Sequence, residues 1–170
     1  MRISTLVTMS QVQAFKWFDS LEPVMPSELA GIWRGEEILT GHPMDGLLSA
    51  ARWYGKEFLN PQEVHPLLFS RNKGDPFSGN PGLLPLKTFM PAPRPLIKTL
   101  FTVVSPFLHT KKGRARLYFQ EYRGKLTTIM HYDQKPIIDA FAKISKGKIL
   151  GLCDVAWVAE MGYFFILTKL

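Results

Sequence analysis

From Arg114 onward, runs rich in β-branched and aromatic residues alternate with short polar turns. The runs cover residues 114–122, 125–132, 136–144, 148–154 and 161–169, and the breaks include Arg123-Gly124, Asp133-Gln134-Lys135 and Ser145-Lys146-Gly147. Strand-length runs at intervals of about 8–12 residues, joined by tight turns, specify an antiparallel meander. Three earlier segments have the same character: residues 31–39, 53–58, and 64–69 with Pro66 inside it. Together they suffice to close a small barrel, which removes exposed sheet edges. The expected fold is therefore mainly β, an antiparallel barrel with a few short helices before residue 110.

The helices follow from spacing and caps. Val12, Phe15, Phe18 and Leu21 recur on one helical face behind Ser10, a good N-cap. Pro26 to Gly31 reads as one short helical turn. Pro43 can open a second helix over 44–52, facing Leu47, Leu48 and Ala51 inward, although Gly46 weakens it by about 1 kcal/mol. Residues 71–113 change character. Turn-forming stretches and Pro85, Pro91, Pro93 and Pro95 forbid a long helix or central strand. This segment reads as a long surface excursion, with one apolar helix over 96–108 that stops before Pro106. That helix suits a ligand gate, a membrane-surface contact or packing against the barrel.

Composition narrows the classes of function. The 170 residues are 46% hydrophobic and 21% charged, as in an ordinary globular protein. Cys153 is the one cysteine, so neither an intrachain disulfide nor a CxxC metal site can form. His42, His65, His109 and His131 lie far apart, without zinc-motif spacing. Neither metal nor cofactor is expected. GxSxG, HExxH, P-loop and GxGxxG patterns are absent from the sequence. The N-terminal stretch has no signal-peptide apolar region and no run is long enough to span a bilayer, so the expected location is cytoplasmic. The charge of +7 is concentrated between Arg94 and Lys125, where eight basic residues face Glu121 alone. Without a recognisable binding motif, nucleic acid is not the expected partner. A solvated face or a weak contact with an anionic membrane surface through residues 94–125 remains open.

Residues 31–58 pack five glycines around Trp33, Trp53 and His42-Pro43. Gly31-Ile32-Trp33-Arg34-Gly35 spells the signature of the GXWXG family, and the block resembles the start of that family. Thr40-Gly41-His42-Pro43 and Trp53-Tyr54-Gly55-Lys56 fit it as well. Tyr132 to Phe141, followed by Leu150-Gly151-Leu152, is similar to the companion C-terminal domain often joined to GXWXG segments. The two likenesses cover about 21–69 and 114–170, on either side of the proline-rich insertion at 71–113. The resemblance implies no settled activity. A short helical turn before Gly-x-Trp also resembles the lipocalin signature, which implies a calycin-like barrel formed by residues 1–170 as one domain. It further implies that the last strand closes beside the first, with Lys169 lying over the Trp33 indole.

Candidate chemistry is sparse. Asp139 shares a strand face with Ile137 and Phe141, against Ile138, Ala140 and Ala142, and either face can line the core. If inward, it is a buried carboxylate needing a partner and liable to a raised pKa. His42, at the expected barrel mouth, can bind ligand, act as a base or fix its loop. Asp133 suits a turn, the face of His131 is undecided, and Lys56 with Glu57 reads as a surface pair worth little. The expected function is binding of a small, largely apolar molecule by Trp33, His42, Trp53, Tyr54, Tyr132 and Phe141. The alternative is a cofactor-free isomerase or cyclase using Asp139 and His42 for proton transfer.

Overall fold

The computed structural model describes residues 7–170, so part of the N-terminal stretch read for a signal peptide, residues 1–6, lies outside it. Eight strands make the barrel: β1 (Gly31–Leu39), β2 (Trp53–Asn60), β3 (Glu63–Phe69), β4 (Ala115–Tyr122), β5 (Lys125–Tyr132), β6 (Ile137–Ser145), β7 (Lys148–Val155) and β8 (Tyr163–Lys169). Each pairs antiparallel with the next in chain order, and β8 returns to pair with β1. The expected closed antiparallel barrel is thus formed, its last five strands within two residues of the runs read from sequence. Among the described residues the helices all precede residue 110: α1 (Gln11–Ser20), α2 (Leu47–Ala50), α3 (Leu86–Phe89) and α4 (Arg94–Val104). No helix among them is long and apolar enough to cross a membrane.

Two apolar layers meet on this sheet. The barrel interior holds Trp33, Trp53, Phe58, Phe69, Phe141, Tyr163 and Phe165. Outside, α1 starts at Ser10, whose side chain and that of Gln13 form a reciprocal capping box. Its Ala14 and Phe18 pack on Ile38, Ile129, Ala140, Leu150, Leu152, Phe164 and Ile166. Strands β5 to β8 are therefore apolar on both faces, which is why alternation left Asp139 unplaced.

Both ends of the barrel are shut. At one end the Trp33 indole N–H donates to the Leu29 carbonyl at 2.6 Å. The β1–β8 register sets Lys169 opposite Trp33, and its ammonium lies 5.5 Å from the indole centroid, as the Gly-x-Trp reading implied. At the other end sit α2 and α4. The long helix expected at 44–52 shrinks to Leu47–Ala50 because Gly46 is left-handed, with φ of 76°, and cannot lie inside an α-helix. Residues 71–113 are not a loose excursion. Phe77–Ser78 adds a short strand to β3, and Leu84, Leu86, Ile97, Phe101 and Leu108 are buried, with Phe101 stacked 4.7 Å from Phe69. The Arg94 guanidinium binds this cap together by donating to the carbonyls of Pro43 and Asp45 before α2 and of Phe89, Met90 and Ala92 before α4. The insertion leaves the β3–β4 seam thin, with Val64 and Ala115 as its one register pair.

Small residues make room for the large interior rings. A Cβ on Gly35 would lie 2.3 Å from the Trp53 indole. Gly35→Ala should therefore destabilise the protein by about 1–3 kcal/mol through overpacking. Equilibrium urea unfolding should show that Trp53→Phe in the same chain recovers part of the loss.

Candidate functional site

The site begins with a fault in β2. The β2–β3 ladder shifts register around Gly55, whose φ is 151° and whose absent Cβ would lie 1.8 Å from the Trp33 carbonyl oxygen. Only glycine fits there. Trp53 points into the barrel, while Tyr54 lies on the outer side, under the Arg34 guanidinium at 4.5 Å. Simple alternation would then send Lys56 outward. The bulge reverses the parity, and Lys56 enters the interior at 1% exposure. The surface pair expected for Lys56 and Glu57 is thus corrected. Glu57 remains part-exposed, with a carboxylate oxygen 3.9 Å from His65 Nε2.

Inside, Lys56 Nζ is 2.7 Å from Asp139 Oδ2. It also donates to the Pro66 carbonyl at 3.0 Å and to Tyr132 Oη at 3.2 Å. The Tyr132 hydroxyl in turn donates to Asp139 Oδ2 at 3.3 Å. Phe165, Trp53 and Tyr132 present ring faces to the ammonium at 5.0, 5.6 and 5.6 Å. Asp139 therefore faces inward, but as half of an ion pair rather than as a lone carboxylate in apolar surroundings. Its Oδ1 has no hydrogen-bond partner among the described residues. Cys153 stands opposite it on β7, its thiol pKa pushed well up by burial and then by the Asp139 charge. Burial likewise pushes the Tyr132 hydroxyl well above its ordinary value, and the Asp139 charge adds to this.

A second polar group lies nearer the α2–α4 end. His42 is buried, its Nδ1 accepts from the Met44 N–H at 3.0 Å, and its Nε2 has no partner among the described residues. Burial holds its pKa below the usual histidine value, with Asp45 pulling weakly the other way. Its ring is 5.7 Å from that of Tyr163, whose hydroxyl donates to Glu37. Glu37 also accepts from Leu48 N at 3.2 Å, Ser49 N at 3.0 Å and the Ser49 hydroxyl, holding α2 against β1. Tyr163 and Phe165 stand 6.4 Å apart, so aromatic contacts connect His42 to the Lys56 group. No hydrogen bond joins His42 to Asp139 among the described residues.

The expected binding residues divide accordingly. Trp53, Tyr132 and Asp139 surround Lys56, while His42 lies two rings away, behind Phe165 and Tyr163. Trp33 and Phe141 are interior, Phe141 edge-on to Phe58 at 5.8 Å, but neither is among the polar or ring contacts of Lys56. Tyr54 is outside and drops from the interior set. Glu37 and Tyr163 were not singled out from sequence, and Lys56 and Cys153 were noticed but not read as site residues. Asp133 bonds outward to Arg116 at 3.4 Å, and His131 stacks outside against Tyr118 at 5.0 Å. No three His, Cys, Asp or Glu side chains among the described residues converge as metal ligands.

The chain is thus a closed antiparallel barrel with a polar group sealed in an apolar interior, and two stretches of its sequence match family models. Residues 16–74 match the GXWXG protein family, and residues 113–169 match a domain of unknown function, DUF4334. It is a GXWXG segment joined to a DUF4334 segment, with strands of both in one closed sheet. No curated protein matches the sequence. The crystal structure of a protein from Thermomonospora curvata is similar, with 25% identity and a TM-score of 0.73. That likeness covers 96% of this chain and 89% of the other.

Removing one member of the buried pair strands the other. Lys56→Met alone should cost about 3–5 kcal/mol in urea unfolding, whereas Lys56→Met with Asp139→Leu should recover most of it. His42 gives a pH signature. Its folded pKa is depressed, so its contribution is intact above the unfolded value near 6.5 and falls away as pH drops below that. Asn at this position keeps an acceptor for the Met44 N–H, so His42→Asn should lose less melting temperature between about pH 7 and 5 than the parent chain.

Proposed function

We propose that the barrel binds a small, largely apolar molecule carrying a hydroxyl or carbonyl oxygen. One observation carries this reading: the ion pair at the barrel centre leaves Asp139 Oδ1 without a partner among the described residues. Buried polar atoms are nearly always paired, and an ion pair serving only as a clamp gains most when both carboxylate oxygens are used. Trp53 Nε1 and His42 Nε2 are likewise buried without partners among the described residues. A ligand hydroxyl would donate to Asp139, a carbonyl would accept from the Trp53 indole, and the rings around Lys56 would hold the carbon skeleton. The thin β3–β4 seam is the natural place for the wall to part. This is the carrier role that the lipocalin-like signature implies, and the lone buried thiol of Cys153 suits a reducing cytoplasm.

The second reading is a cofactor-free isomerase or cyclase. It draws on the Tyr132 hydroxyl, which both accepts from Lys56 and donates to Asp139 and so offers a route for a proton between substrate and carboxylate. Tyr132→Phe distinguishes the two, because it keeps the ring and the ion pair. For a carrier it should change ligand affinity only modestly. For a catalyst it should lower turnover by about 10²–10⁴-fold.

The primary test uses native mass spectrometry of protein purified from its own host, alongside titration with an apolar fluorescent probe. A retained oxygenated ligand, or 1:1 probe binding that quenches tryptophan emission, is the expected result. No adduct and no probe uptake would reduce the Lys56 group to a structural clamp.

A further inference from the structure

Helix α4 carries more apolar surface than the barrel covers. Ile97 and Phe101 are buried against the core, with Val104 packed partly beside them. At 100° per residue these three span one side of the helix. Leu96, Leu100 and Val103 form the adjoining stripe, and Phe107 extends it through the turn Ser105–Phe107 that follows. That stripe is exposed: Leu96 at 48%, Leu100 at 39%, Val103 at 66% and Phe107 at 79%. A contiguous apolar row of this size on a short amphipathic helix marks a contact surface.

The charge around it narrows what it meets. Residues 76–120 contain no Asp or Glu, while Lys87, Arg94, Lys98, Lys111, Lys112, Arg114 and Arg116 all fall within them. Lys98, Lys111 and Lys112 are exposed and form no ion pair among the described residues. Lys98 lies within the helix on the far side from this stripe, whereas Lys111 and Lys112 follow within five residues of Phe107. Beside Phe107, an open cleft of about 370 Å³ is lined by Arg71, Phe77, Ser105, Pro106 and His109. An exposed apolar wedge, unpaired ammonium groups and a cleft with a guanidinium and an imidazole in its wall together match an anionic phospholipid surface. The wedge suits the acyl boundary, the lysines the surface potential, and the cleft a headgroup phosphate.

We propose that the exposed face of α4 and the turn after it dock this protein on anionic membranes. Because the adjoining face of the same helix closes the barrel, docking brings the closed end of the barrel to the lipid surface. The contact is peripheral and reversible, since one short helix buries too little to anchor a protein permanently. It stands independently of the ligand reading, because it uses the outside of the cap.

The test is co-sedimentation of the full chain with large unilamellar vesicles, either of phosphatidylcholine alone or with roughly 30 mol% phosphatidylserine. Binding is expected to the anionic vesicles at low salt and to weaken as salt rises. Val103→Ser with Phe107→Ser should lower the partition coefficient by at least about tenfold. Lys111→Gln with Lys112→Gln should remove the preference for anionic lipid. Melting curves check that the variants fold, and Phe107→Ser alone serves if the pair does not. Absence of binding at low salt, or equal binding by the serine variants, would overturn the proposal. A dimer in sedimentation velocity that the serine variants abolish, without vesicle binding, would also overturn it by giving this face to a second copy. Probe uptake measured without vesicles is untouched by either outcome.

Discussion

An ammonium and a carboxylate sealed 2.7 Å apart inside an apolar barrel set the terms for everything around them. Each ion costs several kcal/mol to remove from water, and mutual attraction offsets this only when the surrounding hydrogen bonds are nearly complete. The chain meets that demand from five strands, with Asp139 Oδ1 as the one oxygen of this carboxylate left over among the described residues. Lys56 comes from β2 and Asp139 from β6, four strands away around an eight-strand ring, so the pair crosses the barrel interior. Pro66 of β3 contributes a carbonyl, Tyr132 of β5 a hydroxyl, and Phe165 of β8 a ring face. A change in barrel cross-section would separate these groups together.

The strands and their closure were legible because both signals are local. Turn residues and runs rich in β-branched and aromatic residues set the five C-terminal strands, and Gly-x-Trp pointed to a first strand that the last one meets at Lys169. Lys56 was illegible by alternation because the parity of β2 changes at Gly55. Glycine inside a strand marks bulges, so Gly55 was the available warning. It would have brought Lys56 into the interior, which Tyr54 already leaves by simple alternation from Trp53.

Other failures were non-local. Asp139 could not be oriented because α1, more than a hundred residues earlier, makes the outside of β6 as apolar as the inside. Residues 71–113 looked like a surface excursion because prolines forbid long elements. Yet prolines permit short helices, and Ile97 and Phe101 bury themselves only because the barrel end lies beneath. The role of Glu37 likewise depends on α2 folding back over β1.

The pairing of β8 with β1 also has a consequence for biosynthesis. The two strands are first and last of the eight, separated by more than a hundred residues. While the ribosome still holds residues 163–169 in its exit tunnel, β1 has an open edge and Trp33 lacks Lys169. The barrel is therefore a ring that shuts only once β8 has left the tunnel, and until then its edges are exposed to other nascent chains. Neither the GXWXG part nor the DUF4334 part completes the ring without the other, so a gene fusion or truncation that separates them leaves two open sheets rather than two smaller proteins.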